Sequence, residues 1–422
     1  MINKFLYFKK KESYFVQFYE LKGVALLMVM ISLAFISAVV MDLGYQENIH
    51  YKLAIYQRDA AKAQALAEGG INIACLFLTV REKLQVYLAN LAASGVALPN
   101  HTIWTLLRLE SSLFKNLIRK KSENFLGINT KESFFKGLEK NNYRRNLKKF
   151  TKPIGGFGYF NGFFKVEIVD EDSKISLVNF AKSNSQKKRI ITKNMLLALL
   201  DEDRYNDIFK DCRFIKYPLD RLEFIGSIFG YIDVHDHIID VRVKDKQWGF
   251  KGSGSKKNLY AEYYNLSPKG ANFDSFEEMR LVHGMTDAHM DILQDAVSVY
   301  GLSKKINILS ASNKILQTLV RYCASDSLGY ILKNPQFMDE IIIGWNNYKN
   351  RVFGLVRTDD FIQFLKIKNL LIDNAKCKAV LGTTSQTFTI KSNATVGNVN
   401  KILTLVTRIA ENSNELYYFN NN

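Results

Sequence analysis

The sequence predicts an α+β protein: a long N-terminal helix that starts in a membrane, a small antiparallel sheet, and a large inserted α-helical domain. Three observations lead there. Residues Val24 to Met41 form an uncharged apolar run of 18. A helix-period stripe follows it without a Pro until after Ser94. Strand-like alternation then returns at both ends of the remaining chain, with helical periodicity between.

The apolar run, VALLMVMISLAFISAVVM, has only Ser32 and Ser37 as polar members. Its length is at the lower edge of what crosses a hydrocarbon layer of roughly 30 Å. Lys4, Lys9, Lys10, Lys11 and Lys22 precede it against Glu12 and Glu20, five minus two, or +3. The next charges are Asp42 and Glu47. The positive-inside rule then puts the N-terminus in the cytoplasm and the bulk of the chain outside. A cleaved secretory signal needs a shorter core and a small-x-small site, and Ser37 to Asp42 supplies a poor one. A plain signal anchor fits the hydropathy. A prepilin-type leader fits it too and also accounts for Gly23, since the peptidase cuts on the cytoplasmic side between a Gly and the apolar run. Lys22-Gly23-Val24-Ala25-Leu26-Leu27 has that form, which makes Gly23 and Val24 the expected cleavage pair.

Beyond the run, Leu53, Tyr56, Ala60, Ala63, Ala67, Ile71, Ala74 and Leu78 recur at spacings of three or four, one stripe of a helix. Gly69-Gly70 is where the sequence allows a kink. A transmembrane helix continuing straight into a soluble amphipathic one is the architecture of type IV pilins and their secretion-system relatives. Most of those carry Glu as the fifth residue after the cut; counted from Val24, the fifth residue here is Met28. A carboxylate in the bilayer costs about 2.5–3.5 kcal/mol unless compensated, and the usual compensation is the terminal amine of a neighbouring subunit. Met28 therefore argues against a shaft subunit and suits one with nothing above it, or else an ordinary anchor.

Five segments, in order, resemble the minor pseudopilin K family of type II secretion systems. Gly23 to Leu26 matches its cleavage region lacking the Glu. VEIVDEDSKISLVNF at 166–180 is similar to its acidic-basic strand pair, and NFDSFEEMRLVHGMT at 272–286 to a signature of its inserted helical domain. INILSASNKILQTL at 306–319 resembles a following stretch, with Leu309 and Ser310 departing from it. SQTFTI at 385–390, VGN at 396–398 and Arg408 are similar to its C-terminal strands. The resemblance implies a type IV pilin-like fold and a non-catalytic role at the pseudopilus tip, as cap and assembly initiator. The implied partners are the I- and J-type minor pseudopilins, the major pseudopilin, prepilin peptidase and secreted protein substrates. The implied location is the bacterial inner membrane, single-pass, with the bulk periplasmic. The expected segments are a leader at 1–23, a membrane span at 24–41 and an amphipathic helix at 42–94. A first part of the α/β domain follows at 95–183, an inserted helical (SAM-like or helix-hairpin-helix-like) domain at 184–330, and the rest of the α/β domain at 331–422.

The composition is that of a globular chain with room for two or three domains: 422 residues, 47% apolar and 23% charged. Its 58 basic and 41 acidic residues give +17, which suits nucleic acid, an anionic membrane, an acidic partner, or simply a solvated basic surface. The basic runs Arg119 to Lys121 and Arg144 to Lys149 read as solvated faces. Gly156-x-Gly158-x-x-x-Gly162 misses the dinucleotide spacing by one residue and has no helix after it. Gly252 to Ser255 lacks the strand-turn-helix frame of a nucleophile elbow, and no catalytic constellation is present in the sequence.

His235 and His237 flank Asp236 and share one face of an extended segment, but zinc wants a third or fourth ligand that the sequence does not identify. Calcium is the better metal expectation, at Asp233, Asp236, Asp240 and Glu262, because it accepts six to eight oxygens from carboxylates, carbonyls and water. The resembled family has calcium in its helical domain beside an Asp-Trp-Ile-Asp-x-Asp-like segment. Here that segment reads Gly230 to His235, with acids replaced at both ends, so solvated loop acids are the other reading. Cys75, Cys212, Cys323 and Cys377 form no C-x-x-C pair; outside the cytoplasm they permit disulfides whose pairing the sequence leaves open, and four unpaired thiols are an equal reading. The alternative function is a DNA-binding pilin-like component, with His283-Gly284-Met285-Thr286 as a helix-hairpin-helix turn. That turn has one Gly where phosphate-gripping hairpins have two, so nucleic acid is not the favoured partner.

Overall fold

The computed structural model describes residues 2–93, 109–110, 162–181, 185–210, 219–244, 247–248, 254–303, 305–325, 332–351, 356–410 and 414–421, with side chains described from residue 23 to 81 of the first stretch. The runs at Arg119 and Arg144, Gly155 to Gly158, and Cys212 lie outside them.

Helix α1 runs unbroken from Ile2 to Ala93. The helix continues through Gly69-Gly70, where the sequence allowed a kink, and Gly70 has a packing role. A Cβ there would overlap Ser392 Oγ and come within 3.0 Å of Val166 Cγ2. Gly70 therefore lets the helix approach the sheet closely.

That sheet has five antiparallel strands: β1 (Leu109–Glu110), β2 (Gly162–Asp170), β3 (Thr387–Val396), β4 (Val399–Ile409) and β5 (Asn414–Asn421), in that spatial order. Alternation aims Phe388, Ile390, Ala394 and Val396 at α1, where they join Ala63, Leu66, Ala67, Ile71, Ala74 and Leu78 in one core. The stripe begins later than the sequence suggests. Leu53 and Tyr56 are 50% and 57% exposed, so helix periodicity continues beyond the sheet that covers it.

The helical unit enters after Asp170 and leaves before Thr387. It contains α2 (Gln186–Leu200), α3 (Arg221–Ile232), α4 (Lys256–Tyr264), α5 (Asp287–Leu293), α6 (Asn313–Cys323), α7 (Pro335–Arg351), α8 (Thr358–Ile367) and α9 (Asn374–Val380). Local signals set several boundaries. Asp220 and Glu223 form a capping box at α3, and Thr286 and Ser312 cap α5 and α6. Pro335 opens α7, where a missing N–H costs nothing.

Its core runs continuously from Ile175 to Leu381, with Trp345 fully buried against Phe361, ring centroids 4.7 Å apart. The expected boundaries at 184 and 330 are therefore corrected: α7, α8 and α9 belong to the helical core, and the second part of the α/β unit starts near Thr387. The strand-like alternation at the C-terminal end of the chain starts only with β3.

Register fixes where this unit sits. Gly397, in the β3–β4 turn, approaches Asp59 of α1, while Phe388, opposite Asp170 in the sheet, lies under the Arg81 guanidinium. From Asp59 to Arg81 the helix climbs about 33 Å away from its apolar end. The helical unit is thus joined to the end of the sheet farthest from the apolar segment.

Candidate functional site

The first feature is the bare half of α1. From Val24 to Met41 its side chains are exposed, among them Leu26, Met28, Phe35 and Met41 at 64%, 64%, 70% and 76%. It is a helix long and apolar enough to cross a membrane, and none of its most apolar window is buried in the protein. Gly23 lies within this helix at its lower end, with no atom within 4 Å of where a Cβ would stand. Nothing packs on the Gly23–Val24 bond from elsewhere in the described chain.

The second is the junction between the units, built from three consecutive acids that sequence reasoning treated only as part of a strand pair. Strand β2 ends at Asp170, whose Oδ1 accepts from Asp172 N at 2.9 Å and caps the turn Glu171–Ser173. Its Oδ2 accepts from Asn307 Nδ2 at 3.0 Å, Ser385 Oγ at 2.5 Å and Ser310 Oγ. Asp172 Oδ2 accepts the backbone N–H groups of Gln386 and Thr387 at 2.7 and 3.0 Å. Glu171 Oε1 accepts from Thr389 Oγ1 at 2.7 Å and from Lys174 Nζ at 2.9 Å. Arg81 Nη1 donates to Ser385 O at 3.2 Å, which brings α1 into the same cluster. Burial pushes the Asp170 carboxyl up to about 6; its serine and asparagine donors pull it down, and the Asp172 charge adds to the rise. The network ties the strand that enters the helical unit to the one that leaves it. Ser310, a departure from the resembled family stretch, is one of the Asp170 partners. The only trace in the sequence was the Asp-Glu-Asp run at the end of a strand.

The third is the segment expected to bind calcium. The structure places Asp233, Asp236 and Asp240 in the loop after α3, and Glu262 on the exposed side of α4. It does not assemble them. Asp236 accepts from Ser255 Oγ at 2.7 Å and Lys257 N at 2.9 Å, and these bonds hold its carboxyl below the usual range. Asp240 accepts from Arg242 N at 2.8 Å. Lys256, only 5% exposed, inserts its ammonium between the carbonyls of Gly230, at 2.9 Å, and Asp233. These are carbonyls at the C-terminus of α3, the negative end of its dipole, so one protein cation satisfies groups the helix leaves unpaired. Burial lowers the Lys256 pKa, and Asp233 and Asp236 oppose that. Among the described residues no three His, Cys, Asp or Glu side chains gather to hold a metal ion. Two backbone oxygens at this loop hold an ammonium, and two of the four expected carboxylates, Asp236 and Asp240, accept from protein donors. The rings of His235 and His237 stack with centroids 6.5 Å apart, and Asp236 between them is committed to Ser255 and Lys257.

The hairpin at His283 to Thr286 has its backbone amides turned inward. His283 N donates to Tyr260 Oη at 2.9 Å and Gly284 N to Tyr264 Oη at 3.1 Å. Gly284 is buried, with φ of 80°. The two donors that would meet a phosphate are thus occupied by tyrosine hydroxyls.

No family model and no curated protein matches the chain. Among solved structures it is similar to a chain of "The Crystal Structure of the GspK-GspI-GspJ complex from enterotoxigenic Escherichia coli Type 2 Secretion System". The identity is 17% and the TM-score 0.42, over 62% of this chain and 80% of that one, and a likeness of that grade decides neither family nor activity.

Proposed function

We propose that this chain is a minor pseudopilin of a type II secretion system, placed at the pseudopilus tip, where it caps the fibre and starts its assembly. One observation carries the reading. A single helix is bare and uncharged over its apolar half, bears a sheet on its other half, and carries a bulky extra unit at the far end of that sheet. The bare half requires a lipid environment before assembly and the helices of other subunits after it. The far unit occupies the space into which a further subunit would stack. Met28, in place of the Glu that pairs with a neighbour's terminal amine, suits a subunit with nothing above it. The order of resembling segments, from Gly23 to Arg408, supports the same family.

In this reading prepilin peptidase cuts after Gly23, the new terminus at Val24 is methylated, and the head lies in the periplasm of a single-pass inner-membrane protein. The helix from Val24 packs beside those of the I- and J-type minor pseudopilins, and this group then receives the major pseudopilin. The work is assembly, with no chemical step.

The test is co-expression of the full chain with its cognate I- and J-type subunits, followed by affinity purification in mild detergent. Stoichiometric recovery of both, lost when residues 24–41 are replaced by an unrelated apolar helix, supports the proposal. A fully processed chain that purifies alone refutes it.

A further inference from the structure

Cys323 ends α6 and Cys377 lies in α9, and both are fully buried, at 0% exposure. The segments that carry them are clamped by the backbone. Asp373 N donates to Cys323 O at 2.9 Å, Ser325 N donates to Leu371 O at 2.9 Å, and Ala324 and Ile372 form an antiparallel bridge. One turn beyond Asp373, Cys377 N donates to Asp373 O at 3.0 Å. Both cysteines carry free thiols in this structure, and the nearby Cys377 thiol raises the proton affinity of Cys323. Cys75 belongs to the separate core under the sheet. Buried cysteines often serve merely as small apolar side chains. Two of them on packed helices, whose segments are joined by backbone hydrogen bonds between residues 323–325 and 371–373, go beyond that role.

We propose that Cys323 and Cys377 form a disulfide that ties α6 to α9 and locks the C-terminal helices into the core of the helical unit. The compartment follows from the reading under "Proposed function", since a periplasmic head meets disulfide-forming conditions. The chemistry is thiol–disulfide exchange with a disulfide-class oxidant, a protein disulfide or oxidised glutathione. One cysteine thiolate attacks the oxidant, forming a mixed disulfide and releasing a thiolate. The second cysteine then displaces the other half of the oxidant. The pair loses two protons and two electrons, and the oxidant leaves as two thiols.

Timing follows from burial. Neither sulfur is reachable in the folded chain, and the neighbouring thiol together with burial pushes the Cys323 thiol far above its ordinary value. The bond therefore forms before the core closes, and the folded protein shields it from reductant.

The experiment uses the full chain in detergent, unfolded and reduced, then refolded with mixed reduced and oxidised glutathione. Alkylation under denaturing conditions without reduction, followed by peptide mass mapping, reads the pairing. The expected result is a linked pair of peptides carrying Cys323 and Cys377, lighter than the free peptides by two hydrogens, with Cys75 alkylated. Alkylation of both cysteines, or linkage of either to Cys75 or Cys212, overturns the proposal.

The same mapping on protein recovered from cells separates this inference from the functional reading. Linkage in both samples supports both. Linkage on refolding with free thiols in the cell supports the pairing and overturns the periplasmic placement. Urea titration gives a second readout: reduction raises the unfolding equilibrium constant on the order of 1000-fold for a loop this long. Cys377→Ala removes that response, and a wild-type protein indifferent to reductant overturns the proposal.

Discussion

Replacing Asp170 by Asn alters the stability of the protein in a way that depends on pH, and both sign and size follow from its surroundings. The carboxyl has its pKa raised from 3.8 to about 6 in the folded chain, with burial as the largest cause. A carboxyl whose folded value is raised binds more protons folded than unfolded between those two limits. Stability is therefore lost as pH rises from about 4 to about 6, and is level above that. The interval corresponds to ~3 kcal/mol at 1.36 kcal/mol for each tenfold change. The Asp170→Asn side chain has no proton to lose, so the variant's stability relative to wild type climbs by that ~3 kcal/mol between about pH 3.5 and 7. Its starting point is lower, because an amide nitrogen facing Asn307 Nδ2 leaves one buried donor unpaired, at about 1–3 kcal/mol. Urea unfolding of both proteins across that range, followed by the fluorescence of buried Trp345, measures the difference directly. The Asp172 carboxyl shifts in the same direction, and because its charge contributes to the Asp170 rise, the measured difference includes the easing of Asp172 when the Asp170 charge is removed. A difference that stays flat across that range, or falls as pH rises, refutes the account of the junction.

Gly70→Leu forces α1 away from Val166 and Phe164 and costs at least about 1–3 kcal/mol by overpacking, whereas Gly69→Ala, which meets nothing, gains roughly 0.5–1 kcal/mol; thermal melting of the pair distinguishes close approach from helix propensity. Lys256→Met leaves the carbonyls of Gly230 and Asp233 unpaired, at about 1–3 kcal/mol each, and wild-type melting is the same in calcium as in a calcium chelator; a wild-type rise in melting temperature with calcium contradicts the reading of that loop. Arg321→Met removes the buried partner of Glu202, 2.8 Å away, and leaves that carboxylate only the half-exposed Arg204, which lowers unfolding free energy by about 1–3 kcal/mol in the same urea assay.

The anchor and the sheet were legible because each is written in a local pattern. An uncharged run needs no partner to declare itself, and the alternation from Phe388 to Val396 marks one face of a strand wherever that strand lies. Periodicity was less informative about what covers a face: Leu53 and Tyr56 continue the stripe of α1 past the end of the sheet and stay exposed. The C-terminal helices were not legible. The segment from Asp359 to Asn374 is rich in Ile, Leu and Phe, which suit strand or helix, and its packing on Trp345 decides for helix.

The candidate sites show the same division. The acids at Asp233, Asp236 and Asp240 are close in sequence, but their surroundings depend on Lys256 folding back from the next helix, which no spacing rule contains. Asp170 looked like one acid among three; its partners Asn307, Ser310 and Ser385 come from more than a hundred residues away. The proximity of Cys323 to Cys377 likewise exists only once α6 and α9 have met.

If α1 is the assembly helix of a pseudopilin, as proposed, the intact mass of the membrane-extracted chain depends on prepilin peptidase. The account requires loss of residues 1–23, with a methyl group on Val24, only when the peptidase is present. A chain that keeps its first residues under both conditions contradicts it and leaves an ordinary signal anchor beneath a basic head.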